Sequence, residues 1–384
     1  MRILICPLDW GLGHASRCVP VIRELRARGH EVVLGSYGRS KEFLKREFPD
    51  VECLDFPGIS MRVSPGKSVY FFYAAKIPGF LWKTSQEHRR LGKSILSRRF
   101  GMVISDSRFG LFTRLCPCVL ITHQLHTKCP ELEFAGHPWG RWLETVVYWI
   151  FRLFFRRFDQ VWVPDFAGPL NLSGELSHRK TRLKNVRFIG PLSRFTTAPP
   201  TGRWPPAVRC LALVSGPEPH RSIFEEKIRS VLADLPGCRV IVLGKPEEAR
   251  SLAPLRMPED QQSGLFVVPH ADQETLERLI CMSDLIISRP GYTTIMELAA
   301  LNARRVVFVP TPGQLEQVYL ARYLEKNGVA PWREQDCLRA EDLGFDELIY
   351  RGFADFHHLM TTGSKISIAR YMEFVSGKKN GPRS

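Results

Sequence analysis

The chain has 384 residues, 44% of them apolar and 24% charged, which excludes an intrinsically disordered protein and leaves room for two domains. The formal net charge of +15 favours an anionic partner: a phosphorylated small molecule, an anionic lipid surface or a nucleic acid. No run of about 18 apolar residues and no signal-peptide core is present, so we expect a cytoplasmic protein without a membrane-spanning helix. Ten scattered cysteines, without paired CxxC motifs, are expected to be free thiols.

The first half of the chain alternates buried strands with amphipathic helices. The apolar run MRILICPL predicts a strand, HASRCVPVIRELRARGH predicts a helix that ends at Gly29, and EVVLGS predicts the next strand. Further strands are predicted at FGMVISD, CVLIT and QVWVPD. This order is typical of a doubly wound parallel sheet, and we assign residues 1–192 to a first Rossmann-like domain.

The pattern starts again after a segment with linker composition. Residues 193–206 are rich in proline, threonine and glycine. Strands are then predicted at RCLALVSG, CRVIVLG, LFVVPH, DLIISR and RRVVFVP, and helices at about 220–234, 272–282 and 292–301. We assign residues 207–350 to a second Rossmann-like domain and 351–384 to a C-terminal helix with a basic tail; packing of this helix against the first domain is one option. The predicted class is α/β, with the two domains facing a central cleft.

The turn after the first strand holds the residue types of a catalytic centre. Gly11 and Gly13 lack a Cβ atom, so the backbone can turn tightly there and approach a ligand closely. His14 follows, and a neutral imidazole can accept a proton from a hydroxyl group near neutral pH. Asp106 follows another apolar strand, where its carboxylate could bond one nitrogen of His14 and fix its tautomer. The alternatives are a structural histidine in a turn and an aspartate that caps the next helix.

In the second domain, a longer stretch, residues 288–330, contains residue types that suit the binding of a phosphorylated ligand. Gly291 follows a proline that interrupts the chain after a strand, and the helix behind it can point its N-terminus at a diphosphate. Thr293 and Thr294 offer hydroxyl donors there. Glu297 lies about one turn further, where a carboxylate can accept both hydroxyls of a ribose; a solvated glutamate is the alternative.

Two further turns supply candidates for donor binding. Ser215 and Gly216 follow the first strand of the second domain and suit phosphate oxygens, and Arg221 could supply a fixed positive charge. The segment PTPGQLEQ projects amides and a carboxylate that suit sugar hydroxyls, with an ordinary surface loop as the alternative. The members of this cluster are Gln314, Glu316 and Gln317.

The motifs GLGHASR and ISDSRFG and the segment 288–330 resemble the GT-B glycosyltransferases, most closely family 28, the group of the lipid II-forming N-acetylglucosaminyltransferase. The resemblance implies that His14 is the general base and that Asp106 is its partner. It also implies that Glu297 binds the donor ribose and that the backbone near His270 holds the nucleotide base. Leu320 stands where the family usually has asparagine.

The residues assigned to the donor are Gly13, Ser215, Gly216, Arg221, His270, Arg289, Gly291, Tyr292, Thr293, Thr294, Glu297, Gln314, Glu316 and Gln317. The residues assigned to the acceptor side are Gly11, Arg17, Arg108, His123 and Gln124.

Two segments, 70–83 and 140–163, combine aromatic, apolar and basic residues. In the second, Trp142 and Trp149 are interleaved with Arg152 and its neighbours. Such segments are either core helices or a monotopic face that sits on anionic lipid. The net charge agrees with the second interpretation, so the expected partners include an anionic membrane surface and a lipid-linked acceptor, with a peripheral location on the inner face of the cytoplasmic membrane.

The resemblance implies an inverting transfer of a hexosyl group from a nucleotide diphosphate sugar, with a UDP-sugar preferred, to a hydroxyl of a lipid-linked or other cell-envelope acceptor. Helix N-termini and Arg221 are expected to stabilise the leaving diphosphate, so no metal or other cofactor is expected. The alternatives are a UDP-sugar 2-epimerase-like enzyme of the same fold and a non-catalytic nucleotide-sugar or nucleic-acid binding protein. Nucleic acid is not an expected partner, because the basic residues are dispersed and no recognised binding motif occurs.

Overall fold

The computed structural model describes residues 1–9, 11–58, 69–128, 139–195, 208–216, 218–245, 264–345 and 348–362. The chain forms two compact units, one built on residues 1–192 and the other on 193–363. Residues 196–206 of the expected linker and the expected basic tail lie outside the described residues.

The first unit contains a sheet of seven parallel strands. The strands are β1 Arg2–Cys6, β2 Glu31–Ser36, β3 Cys53–Asp55, β4 Met102–Asp106, β5 Cys118–Ile121, β6 Gln160–Val163 and β7 Val186–Phe188. Their spatial order is β3-β2-β1-β4-β5-β6-β7, so the chain reverses its winding direction between β1 and β4. In doubly wound sheets ligands bind outside the carboxyl ends of the strands at this switch point.

Five helices accompany this sheet among the described residues. They are α1 Gly13–Ala27, α2 Gly38–Glu47, α3 Val69–Arg98, α4 Trp139–Phe155 and α5 Glu175–His178. Helix α1 forms because Ile22 and Leu25 share a buried face while Arg23 and Arg26 are exposed, and it ends just before Gly29, whose φ is 75°. The segment expected over 70–83 is the start of a helix that continues to residue 98.

The second unit contains a sheet of five parallel strands. The strands are β8 Cys210–Leu213, β9 Cys238–Val242, β10 Gly264–Val268, β11 Ile286–Ser288 and β12 Val306–Phe308. Their order is β10-β9-β8-β11-β12, so β8 and β11 form the switch point of this sheet. The helices are α6 His220–Leu232, α7 Gln273–Met282, α8 Tyr292–Ala300, α9 Leu315–Lys326 and α10 Ala354–Thr362, with a 3-10 turn at Ala340–Leu343.

Helix α10 is the described part of the helix expected from residue 351 onward. Its His357 ring bonds the carbonyl of Ala300 at 2.9 Å, and Phe356 is buried. Just before it, the N–H of Phe353 donates to Ala303 at 3.0 Å. These contacts attach the helix to α8 and to the loop that follows α8, inside the second unit.

The apolar interior of each unit is continuous across its own sheet. In the first unit Leu4, Val103 and Leu120 on neighbouring strands pack together, and in the second unit Ala212, Ile241 and Ile287 do so. None of the helices in the described part of the chain is both long enough and apolar enough to cross a bilayer.

Candidate functional site

The switch point of the first sheet brings His14 and Asp106 into contact. His14 is the second residue of α1, which follows β1, and Asp106 is the last residue of β4, which pairs with β1. The imidazole Nδ1 lies 3.0 Å from Asp106 Oδ1. The His14 side chain is 17% exposed and the Asp106 side chain is fully buried. The contact predicted from the ends of two apolar strands is therefore present.

The backbone of the turn explains the two glycines. Gly11 has a φ of 77°, in the left-handed region that favours glycine, and no atom lies within 4 Å of a Cβ built there. Gly13 is the first residue of α1, and Leu12 at the N-cap makes no side-chain hydrogen bond to the first turn.

Arg17 lies beneath His14, one turn further along α1. Its Nε donates to Asp106 Oδ2 at 2.6 Å, and its Nη2 donates to Asp106 Oδ1. The side chain is only 1% exposed. Arg17 therefore holds the Asp106 carboxylate from below, and its assignment to the acceptor side stays a prediction.

His123 joins this cluster from the end of β5, next to β4. Its Nδ1 lies 3.1 Å from Arg17 Nη1, and the residue is buried. Gln124 is half-buried, and its backbone N–H donates to Thr122 Oγ1 at 3.2 Å. Of the residues expected on the acceptor side, His123 is the one whose side chain contacts the His14–Asp106–Arg17 group.

In this cluster the pKa values of Asp106 and His14 are both lowered. Burial by itself raises the pKa of Asp106, but the charges of Arg17 and His14 and the hydrogen bonds from both lower it well below its usual value. For His14, burial and the Arg17 charge lower the pKa, and together they outweigh the attraction of Asp106, which raises it. His14 is therefore neutral near neutral pH, as a general base must be.

Arg108 lies in a buried ion pair of the first unit, and its assignment to the acceptor side stays a prediction. The guanidinium is buried, with Nε donating to Glu87 Oε1 at 2.9 Å and Nη1 donating to the carbonyl of Phe56 at 2.9 Å. Because Glu87 belongs to α3, this ion pair ties the loop after Asp106 to that helix. Gly110 in the same loop lies directly against α3.

In the second unit, the loop after β8 lies at the switch point of the sheet. Ser215 is exposed, and Gly216 has a φ of 116°, a conformation that strongly favours glycine. Arg221 lies in the first turn of α6 and donates through Nη2 to Glu218 at 2.6 Å. The positive charge expected from Arg221 is therefore balanced by a carboxylate of the same loop.

Glu297 on α8 has a partner that the sequence analysis missed. Arg194 Nε donates to Glu297 Oε1 at 3.1 Å, and both side chains are about nine-tenths buried, at 10% and 12% exposed. The carbonyl of Arg194 accepts a hydrogen bond from Gln273 Nε2 at 3.0 Å, so the backbone is held as well. Arg194 lies in the segment 193–206 that has linker composition, and the sequence shows it only as a single arginine two residues after the apolar segment VRFIGPL, residues 186–192.

The N-terminus of α8 follows β11, beside β8. Gly291 is its N-cap, with an extended φ of −70°, and Thr293 and Thr294 are half-buried in the first turn. The side chain of Tyr292 is buried in the core, and its contact with the donor stays a prediction.

Arg289 is also buried and bonded within the protein, and its assignment to the donor stays a prediction. Its Nη1 donates to the carbonyls of Val309 at 2.9 Å and Pro310 at 2.8 Å, and its Nη2 donates to Gln335 Oε1 at 2.6 Å. The guanidinium lies 3.8 Å from the ring centroid of Phe224, and burial lowers its pKa to about 9. This side chain therefore connects the end of β11 to the loop that follows β12.

Gln314, Glu316 and Gln317 follow β12, at the same carboxyl edge of the second sheet as the N-terminus of α8. Gln314 is the N-cap of α9, and Glu316 is half-buried in its first turn. Gln317 Oε1 accepts the N–H of Thr311 at 2.7 Å, so this amide shapes the turn from inside.

At the end of β10, His270 is half-buried. The carbonyls of Val268 and Pro269 accept the N–H groups of Leu243 at 2.9 Å and Lys245 at 2.7 Å. The backbone expected to hold the nucleotide base therefore already bonds the continuation of β9.

Within the described residues, no group of three or more His, Cys, Asp or Glu side chains is placed to hold a metal ion, and the nine described cysteines are free thiols.

The comparisons with known proteins agree on one class of enzyme. A model of the glycosyltransferase family 28 C-terminal domain matches residues 271–361. An uncharacterised glycosyltransferase of Methanosarcina acetivorans is 27% identical over 349 residues, covering 85% of this chain and 82% of the relative. The structure of the kitacinnamycin glycosyltransferase superposes with a TM-score of 0.63 at 18% identity, over 97% of this chain and 98% of that one. The chain is a glycosyltransferase with the GT-B fold, and its residues 271–361 are similar to the family 28 C-terminal domain.

This glycosyltransferase also resembles the spinosyn rhamnosyltransferase SpnG, solved in complex with thymidine diphosphate. The TM-score is 0.58 at 16% identity, over 97% of this chain and 100% of that one. The predictions of an α/β GT-B fold and of a nucleotide-sugar glycosyltransferase are thus confirmed. The roles of the individual residues stay predictions.

The contact between Gly110 and α3 gives a test of what positions the loop after Asp106. In Gly110→Ala the new Cβ atom lies 2.4 Å from the carbonyl oxygen of Thr84 and 2.7 Å from Glu87 Cβ. We expect this overpacking to lower the free energy of unfolding by about 1–3 kcal/mol, measured by urea denaturation. Gly92→Ala on α3 is the matched control, because no atom lies within 4 Å of its Cβ. Equal stability of the two variants would contradict the proposed packing.

Proposed function

We propose that the enzyme is an inverting hexosyltransferase that uses His14 as the general base. The observation that carries this proposal is the hydrogen bond between His14 Nδ1 and the buried Asp106, at the carboxyl ends of β1 and β4. An imidazole held in this way has its second nitrogen, Nε2, available to remove a proton. Its lowered pKa keeps it unprotonated near neutral pH.

The proposed reaction is a single displacement. The acceptor oxygen gives its proton to His14 Nε2 and forms a bond to the anomeric carbon, while the bond from that carbon to the diphosphate oxygen breaks. The nucleoside diphosphate leaves from the opposite face of the sugar, so the configuration inverts. Asp106 stabilises the imidazolium through the Nδ1–H bond.

For the donor we propose a UDP-sugar bound at the carboxyl edge of the second sheet. The Gly216 turn and the N-terminus of α8 follow the adjacent strands β8 and β11, where backbone N–H groups suit a diphosphate. We propose that these N–H groups stabilise the leaving diphosphate and that transfer proceeds without a metal ion. The thymidine diphosphate bound by SpnG supports a nucleoside diphosphate ligand for this fold.

For the acceptor we propose a hydroxyl of a lipid-linked or other cell-envelope molecule, reached from the inner face of the cytoplasmic membrane. Helix α4 supports this proposal. Its Trp142, Trp149 and Leu153, spaced seven and four residues apart on one line of the helix, are exposed by 60%, 42% and 59%. The Arg152 guanidinium lies 4.8 Å from the Trp149 ring centroid, so the apolar line carries positive charge. This combination suits an anionic lipid surface.

His14→Ala tests the base assignment. We expect thermal stabilisation by UDP-sugars to persist and transfer of radiolabelled hexose to a total lipid extract to fall by at least about 100-fold. The matched control is His358→Ala, which removes an exposed histidine of α10 and is expected to leave transfer unchanged. Full turnover by His14→Ala would exclude His14 as the base.

Glu297→Ala tests the donor site. Loss of the ribose hydrogen bonds to a carboxylate is expected to weaken UDP binding by about 10- to 100-fold, measured by isothermal titration calorimetry. Glu274→Ala is the matched control, because Glu274 is an acidic residue of the same unit that pairs only along the exposed face of α7 with Arg278. Unchanged UDP affinity in Glu297→Ala would contradict the ribose role.

A vesicle sedimentation experiment tests the membrane face. We expect the full chain to bind vesicles that contain phosphatidylglycerol and the triple variant Trp142→Ser/Trp149→Ser/Leu153→Ser to stay in the supernatant. The control is Leu348→Ser, because Leu348 is a highly exposed apolar residue of the second unit. Equal sedimentation of the triple variant and the control would place the membrane contact elsewhere or exclude it.

A further inference from the structure

Two histidines at the switch point of the first sheet, His14 and His123, both contact the guanidinium of Arg17. His14 Nδ1 lies 3.0 Å from Arg17 Nη2, and His123 Nδ1 lies 3.1 Å from Arg17 Nη1. We infer that Arg17 fixes opposite tautomers of these rings, so that His14 carries its hydrogen on Nδ1 and His123 carries its hydrogen on Nε2. Arg17 is thus a positioning residue, and the importance of the His14 tautomer for catalysis rests on the proposed function.

The tautomer of His14 follows from the number of hydrogens on Arg17 Nη2. This nitrogen has two, and two oxygen acceptors are within reach: Asp106 Oδ1 and, at 3.1 Å, Ser107 Oγ. Ser107 has a φ of 55°, an uncommon conformation for a residue with a side chain. With both hydrogens engaged, Nη2 has none left for His14 Nδ1.

The contact with Asp106 independently places the hydrogen of His14 on Nδ1. His14 Nδ1 lies 3.0 Å from Asp106 Oδ1, and an ionised carboxylate only accepts hydrogen bonds. A lone pair on Nδ1 would face the carboxylate oxygen and repel it, whereas an Nδ1–H donates to it. The hydrogen of a neutral His14 is therefore on Nδ1, and its lone pair is on Nε2.

His123 has the reverse arrangement. Arg17 Nη1 can only donate, so the His123 nitrogen that contacts it must be an acceptor. Protonation of Nδ1 would direct a hydrogen at a guanidinium hydrogen. The single hydrogen of the His123 ring is therefore on Nε2, and one arginine makes one histidine a proton acceptor and the other a hydrogen-bond donor through their remaining nitrogens.

The charges around His14 give the arrangement a second consequence. The charged and titratable groups that face it are Arg17 from its own helix, Asp106 from β4 and His123 from the end of β5; Cys18 Sγ lies 3.7 Å from Asp106 Oδ2. Because Arg17 shares the carboxylate, Asp106 attracts a proton onto His14 less strongly. Loss of the Arg17 charge should therefore raise the pKa of His14.

The inference is tested on the whole chain labelled with ¹⁵N-histidine, by two-bond ¹H–¹⁵N correlation spectra of the imidazole rings near neutral pH. His14→Gln and His123→Gln assign the two rings among the eleven histidines. We expect the Nδ1–H pattern for His14 and the Nε2–H pattern for His123. Any other tautomer at either ring in the wild-type protein overturns the inference, and this measurement needs no variant of Arg17 to fold.

Variants of Arg17 test the cause. In Arg17→Met, which removes the charge, we expect the His123 tautomer to become mixed and the pKa of His14 to rise from its lowered value toward 6.5, the ordinary value, or above it. In Arg17→Lys, which keeps the charge but removes the guanidinium, we expect only the His123 tautomer to become mixed. Arg23→Met, on the exposed face of α1, is the matched control and should change neither ring. A folded Arg17 variant with both rings unchanged would assign the tautomers to another cause.

The outcome is separable from that of the proposed function. If the tautomers are as inferred and His14→Ala still transfers hexose, the base assignment fails while the role of Arg17 stands. If His14→Ala is inactive and only the His123 tautomer differs, the proposed function stands without this positioning role.

Discussion

The buried carboxylate of Asp106 is the constraint on which the polar edge of the first sheet depends. A charge at the end of a buried strand has to be compensated within the protein, and removal of one partner of such a pair typically costs about 3–5 kcal/mol. Helix α1 provides the compensation because β1, which precedes it, pairs with β4. His14 and Arg17 lie one turn apart on α1 and both reach Asp106. The bonds that stabilise this edge are therefore the same bonds that orient the imidazole.

The two sheets use the same topology for different chemistry. In the first, the switch point is filled by side chains that bond one another: His14, Asp106 and Arg17. In the second, Gly216 and Gly291 follow the switch-point strands β8 and β11, and neither has a Cβ atom to keep a ligand from the backbone. A diphosphate suits backbone N–H groups at a helix start, whereas proton removal needs a titratable group with a fixed orientation. The division of labour proposed for a transferase thus follows from which groups each edge leaves accessible.

The sequence could predict the strands, the two doubly wound units and the His14–Asp106 contact, because each depends on apolar runs whose carboxyl ends must meet at one edge of a parallel sheet. It could not predict the partners of Arg17, Arg108 and Arg289. In a sequence, an arginine is visible only as a positive charge. When it stands near a glycine motif at the end of a strand, that charge suggests a contact with an anionic ligand. In the structure all three are buried, and their acceptors are carbonyls and carboxylates distant in the chain. Arg194 was missed for the opposite reason, because its surroundings had the composition of a linker.

The ion pair of Arg194 and Glu297 shows that a candidate residue predicted from the sequence is only part of a site, because its partner also shapes the surroundings of a ligand. Arg194 donates to one oxygen of the carboxylate that we assign to the donor ribose, and both side chains are largely buried. Because a carboxylate has two oxygens that accept hydrogen bonds, a ribose that bonds Glu297 can either share the carboxylate with Arg194 or displace the guanidinium. The first route retains the ion pair and adds hydrogen bonds to it. The second exchanges a charge-assisted hydrogen bond for neutral ones, which are roughly half as strong. Sharing is therefore the favoured geometry, with Arg194 holding the carboxylate oriented for the two hydroxyls.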